Sequence, residues 1–128
     1  MLKKAIIISI CLVAVGCGGP KTQREMDSSI GPYPSNWKEI VASYIRNNYV
    51  DPYSIMDSEA APPFMQQTLA YDRWIVCIRN NAKNRMGGYT GRKITEISIV
   101  KGQVDMVDDK NDLFCRDARF EPFPLNFK

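Results

Sequence analysis

From Trp37 onward apolar residues recur every three or four positions. Trp37, Ile40, Val41, Tyr44 and Ile45 make one stripe, and Lys38, Glu39, Ser43, Arg46 and Asn47 fall mostly on the other side. This period predicts one amphipathic helix ending near Asn48. Asn36 followed three residues later by Glu39 has capping-box spacing. "YVDP" closes the helix, because a residue before proline is pushed toward extended angles. Asp51 to Ser54 then reads as a turn or one helical turn, with Asp51 as cap and Pro52 in first position. Ile55 to Gln67 shows no clean period, and Ala60 to Pro63 reads as a loop.

The period changes to two between about Leu69 and Asn80. Trp74, Val76 and Ile78 share one face, while Ile75, Cys77 and Arg79 share the other, as in a strand buried on both sides. A second strand is expected from about Arg92 to Val100, with Ile97 and Ile99 on one face. Lys101-Gly102 suits a two-residue hairpin turn, and a third strand runs from Gln103 to Val107. The end of the chain, rich in Phe and Pro, reads as extended from Phe120. Strand alternation assigns the helix to the Trp74 face. The C-terminal segment is assigned to part of the other face, with Phe114, Phe120, Phe123 and Phe127 buried there. Trp37 and Trp74 read as core residues joining helix to sheet. The expected fold is α+β: one N-terminal amphipathic helix packed on a three- to four-stranded antiparallel meander, filling residues 35–128 as one domain.

The start of the chain follows another pattern. Lys3 and Lys4 precede an apolar run from Ala5 to Val15, too short for a bilayer-spanning helix of about 20 residues but suited to an export signal. "LVAVGC" resembles the lipobox of bacterial lipoproteins. That resemblance implies cleavage after Gly16, so that residues 1–16 are a signal peptide, and a diacylglycerol on the Cys17 thiol. Ala14 stands where the family prefers Leu. Gly18 is not the Asp that retains enteric lipoproteins in the inner membrane, so the resemblance implies an outer-membrane anchor facing the periplasm. Residues 17–34 then read as a lipidated, disordered tether. A flexible coil of that length spans about 20–25 Å.

Removing the signal takes Cys11, and lipid occupies Cys17. Cys77 and Cys115 are left, and an exported, oxidising compartment pairs them as a disulfide. The chain-entropy account gives such a loop about 4 kcal/mol. Charge changes the picture little. The whole chain has 17 basic and 14 acidic residues; without Lys3 and Lys4 the balance is 15 to 14. No nucleic-acid partner follows from that.

The sequence has no histidine, which removes the commonest general base and metal ligand. Cys77 and Cys115 are too far apart for a redox CxxC pair, and no zinc spacing exists. "VDMVDDKNDLF" breaks EF-hand order. Glu39, Asp51, Asp57 and Glu59 give no carboxylate pair that can be placed in one cleft. A protein without catalysis, metal or cofactor is the expectation.

The segment "NNAKNRMGGYTGRK", Asn80 to Lys93, supports two readings. In one it is a long hairpin connection, and Gly87, Gly88 and Gly91 supply positive φ angles. In the other, Arg79, Lys83, Arg85, Arg92 and Lys93 flank bare backbone amides that cup an anion, with Tyr89 and Met86 adding apolar contact. It has neither Walker nor Rossmann spacing.

"VDPYS" after the helix, then "W-x-V-C" and "NAKN-x-x-GGYTG", resembles a family of small alphaproteobacterial exported proteins and lipoproteins whose function is uncharacterised. The resemblance covers about Asn36 to Val107 and implies a helix, a turn and a strand leading into the glycine-rich loop. Val50 stands where many members carry Lys. The function expected is a non-catalytic binding or accessory module of the cell envelope, with the membrane, an envelope protein or peptidoglycan as partner. The alternative is an inhibitor of an exported hydrolase such as lysozyme, its basic loop plugging an acidic cleft.

Overall fold

The computed structural model describes residue 19 and residues 21–127, apart from the side chains of Gln23, Arg24, Met26 and Asp27. The signal peptide, Gly16, Cys17 and Gly18 lie outside the described residues. Two helices, α1 (Gln23–Ile30) and α2 (Trp37–Asn48), and a 3-10 turn (Pro52–Ser54) precede the strands β1 (Met56–Gln67), β2 (Asp72–Lys83), β3 (Tyr89–Val100), β4 (Gln103–Asp108) and β5 (Glu121–Pro122). The strands form one open antiparallel sheet in the order β4-β3-β2-β1-β5. The α+β expectation holds, with one strand more than the upper count and one extra helix.

The expected apolar stripe is the one that α2 buries. Trp37, Val41 and Ile45 are buried against Trp74, Val76, Ile78, Ile97 and Ile99, with Ile40 and Tyr44 at the margin. Each such Ile contributes about 1.5–3 kcal/mol on burial. The capping box at Asn36, however, does not form. Asn36 supplies only its backbone carbonyl, to Glu39 and Ile40 N–H, and makes no side-chain cap bond.

The box forms instead at Thr22-Gln23-Arg24-Glu25, inside the stretch expected to be a disordered tether. Thr22 N–H donates to Glu25 Oε2 at 2.7 Å, and Glu25 N–H donates to Thr22 Oγ1 at 3.4 Å. The Thr22 N–H bond, then a Thr22 hydroxyl bond to the same oxygen at 3.0 Å, hold the Glu25 carboxyl below its ordinary range. The helix they start ends by docking on the sheet. Ile30 is buried, and its carbonyl accepts from Lys101 N–H at 2.6 Å. Trp74 Nε1 donates to Gly31 O at 3.1 Å, and Lys21 pairs with buried Asp72. Gly31 has φ +83°, and a Cβ there would come within 3.0 Å of Lys101 Cα. Only glycine suits both the angle and the approach. Among the described residues, packing on the sheet reaches back to Lys21, within the stretch read as a tether.

The segment read as patternless, including the expected loop at Ala60–Pro63, is the long strand β1. Two bulges hide its period: three residues of β1 advance while β2 advances two, between Met56 and Glu59 and again between Ala61 and Phe64. Pro62 and Pro63 occupy the second bulge, where the ladder is locally broken.

β2 and β3 keep the expected alternation. Lys101 (φ 51°) and Gly102 (φ 74°) make the tight turn into β4. After β4 the chain crosses the back of the sheet, where Cys115 bonds to Cys77. Phe64, Ile94, Ala118 and Phe120 pack around that disulfide. Glu96 is buried on this face, opposite Cys77 on one strand and Asp108 on the other. Burial first, then the Asp108 charge, raises its carboxyl pKa. The four phenylalanines were expected together here, but only Phe120 joins this cluster. β5 pairs outside β1 at Glu59 and Ala60, which carries the chain around the sheet edge. Phe123 is buried on the helix side, stacked on Trp37 at 5.7 Å, and Phe127 meets Tyr53 there.

Candidate functional site

β2 and β3 are each 12 residues long, and so is α2. A strand of that length reaches about 40 Å, a helix only about 18 Å. The sheet therefore outruns the helix that covers it. Beyond Asn48 the overhang forms a cleft of about 440 Å³. Its floor is the continuation of the core face: Asn80 and Lys93 are cross-strand partners, one pair beyond Ile78 and Thr95. Tyr44, Asn48, Tyr49 and Val50 line it from the helix end, Val107 and Asp109 from the end of β4, and Ala82, Lys83, Thr90 and Gly91 from the hairpin.

Asn80 is the unusual member. It is 4% exposed, and its Nδ2 is buried without a hydrogen-bond partner. Thr95 beside it is also buried. An amide left buried and unpaired costs about 1–3 kcal/mol, and this residue lines the cleft. Tyr44 has its phenol pKa raised by burial, then by neighbouring Tyr49 and Asp109. The last carbonyls of α2 also face this end of the domain. Asn48 Nδ2 donates to one of them, Tyr44 O, at 2.8 Å.

The residues singled out for binding divide among three places. Lys83, Gly91 and Lys93 line the cleft. Arg79 and Arg92 lie on the back face, and both pair with Glu59, Arg79 at 2.6 Å. Arg79 also covers the Phe120 ring, 4.3 Å from its centroid. Hydrogen bonding to Arg79 is the main reason that Glu59 titrates below its ordinary range. Arg85, Gly87 and Gly88 form the hairpin tip. The tip amides are not bare: Asn84 Oδ1 accepts from Met86 and Gly88 N–H, and Asn84 O accepts from Gly87 N–H. Asn81 Oδ1 likewise accepts from Gly91 N–H. Tyr89 donates its hydroxyl to Ser54 O at 2.7 Å, and Lys83 pairs with Asp51 at 3.4 Å. These contacts fasten the 3-10 turn to the hairpin. Hydrogen bonds from Ser54, then Lys83, hold Asp51 below its ordinary pKa. Arg85 and Lys93 are left without an ion pair among the described residues.

The segment is thus a hairpin whose strands run to Lys83 and from Tyr89, with a short tip between them. Tyr44, Tyr49, Asn80 and Thr95 were not foreseen as site residues. One signal was present: Asn80 continues the series Trp74, Val76, Ile78 on the face that α2 covers, and a polar residue in that register needs a partner. Among the described residues no three acidic or cysteine side chains gather as a metal site. None of the helices there is long and apolar enough to cross a membrane. No family model matches the chain, and comparison with curated proteins and with solved structures finds no match.

Proposed function

We propose that this chain is a non-catalytic binding module of the bacterial envelope, anchored through lipid on Cys17 and taking its ligand in the cleft beyond α2. One observation carries the reading: a buried, unpartnered Asn80 amide in a lined cleft. A fold keeps such a group at a cost unless something supplies its hydrogen bond. The envelope setting is supported by the export pattern at the start of the sequence. The Cys77–Cys115 disulfide, which suits an oxidising, extracytoplasmic compartment, agrees with it. The Gly18 argument favours the outer membrane, with the domain in the periplasm.

The test is a photo-crosslinking residue at Tyr49 in the full-length lipidated protein, in its own cells, with Lys38 as the remote control. Adducts with one envelope component at Tyr49 and none at Lys38 are expected. Equal capture at both sites, or none at Tyr49, overturns the cleft as a binding site.

A hydrolase-inhibitor role is the second reading. It draws on the hairpin tip, where Met86 is almost fully exposed and Arg85 has no ion pair among the described residues. Binding to purified lysozyme that is lost on Arg85→Glu would move the site from the cleft to the tip.

A further inference from the structure

We infer that the cleft takes a short zwitterionic peptide, a di- or tripeptide with both termini free. The inference rests on the cleft being the binding site and adds the chemistry of its occupant.

The lining carries both signs of charge. Asp109, just past the end of β4, and the C-terminus of α2, the negative end of its helix dipole, supply the negative side. Asp109 is close enough to Tyr44 to raise its pKa. At the sheet end stands Lys93, unpaired among the described residues, with Lys83 engaged nearby by Asp51. A simple anion would be drawn to Lys93 and repelled by the helix terminus, and a simple cation would meet the reverse. A molecule with an ammonium at one end and a carboxylate at the other satisfies both.

The floor adds amide and hydroxyl chemistry. Asn80 carries a donor without a partner, buried just beneath the cleft floor, and on the same planar group an acceptor. That pair matches a peptide bond, which presents one C=O and one N–H. The Thr95 hydroxyl adds a group able to do either. Tyr44, Tyr49, Ala82 and Val107 supply apolar surface for small side chains. A volume of about 440 Å³ lies within the range of small-molecule sites and admits two or three residues.

The experiment follows the Asn80 side-chain amide by ¹H–¹⁵N NMR in the full-length lipidated protein in detergent micelles. The probes are Ala-Ala in L,L and D,D form, and the N-acetylated and C-amidated derivatives of each. A saturable shift of the Asn80 amide is expected. Each cap should weaken binding about tenfold, which is about 1.4 kcal/mol. Lys93→Gln should weaken the free peptide to the same extent but leave the C-amidated one unchanged, because both remove one contact. Preference for D,D indicates a cell-wall source and preference for L,L a protein source; either supports the proposal. No saturable shift with any form up to about 10 mM, a range that would reveal even weak sites, overturns it. So does binding indifferent to both caps. If the peptides fail while Tyr49 still captures a component in cells, the ligand class falls and the cleft reading stands. If both fail, both fall.

Discussion

The β2–β3 ladder has two ends with one geometry and opposite contents. Under α2 the cross-strand pairs are Trp74 with Ile99 and Val76 with Ile97, all buried. Past Asn48 the same face carries Asn80 with Lys93, and then the hairpin. Backbone pairing continues through both. What differs is whether a helix lies on top. The covered end is apolar except for the Trp74 indole N–H, which finds Gly31 O. The uncovered end is free to hold amide, hydroxyl and charge, and it inherits a rigid floor from the ladder. A site built this way needs no special loop, only a sheet longer than its helix.

The most severe way to test this contrast is truncation on the covered side. Ile78→Ala, at a fully buried position, should cost about 2–5 kcal/mol in denaturant unfolding. Next comes the strap that closes the opposite face. Reducing Cys77–Cys115, or replacing both cysteines by Ser, should cost about 2–4 kcal/mol. Intact mass must rise by two hydrogens on reduction; an unchanged mass would mean the thiols were never paired.

Glu96 gives a smaller, pH-dependent effect under that strap. Its folded pKa is raised by burial and by Asp108, so the fold favours the protonated acid. Stability from this group is complete below the ordinary Glu value of about 4.3 and is lost as pH rises through the folded value. Glu96→Gln should therefore raise the melting temperature at pH 7, and the gain should close as pH falls below the ordinary value. A gain that persists at low pH would trace to packing rather than charge. The smallest effect is expected at the uncovered end. Asn80→Ala removes an unsatisfied amide, so stability should change by no more than about 0.5 kcal/mol while ligand capture is lost. A loss as large as that of Ile78→Ala would make Asn80 a structural residue.

Much of this architecture can be read from periodicity, and the misses have physical causes. α2 is legible because five apolar residues keep a helical period, and β2 because its two faces are both apolar yet distinct. β1 is not, since each bulge reverses the alternation and Pro62-Pro63 imitates a loop. α1 is obscured by its polarity: its start is written in Thr22 and Glu25, while the contact that holds its end depends on Lys101, far along the chain. The strap's turn onto the helix side depends on two paired residues at Glu121–Pro122, too few to leave a pattern. For the site, glycine and charge drew attention to the hairpin tip, where Asn84 satisfies the amides locally. The cleft assembles residues from the helix end, three strands and the loop after β4. Only Asn80, a polar residue in an apolar register, hints at it in one dimension.

The docking of Ile30 and Gly31 against Lys101 also decides posture. It pins the N-terminal segment to the β3–β4 turn, the end of the sheet away from the hairpin. If Cys17 carries the proposed lipid, the leash from it to Lys21 would span at most about 14 Å when fully extended. A long leash would let the domain tumble and search at large. Under the proposed anchoring, the short leash would hold the β3–β4 turn toward the bilayer and set the cleft roughly 25 Å farther out, like the mouth of a short mast. Its reach would then be fixed by its own height, and what it met would have to come to that height.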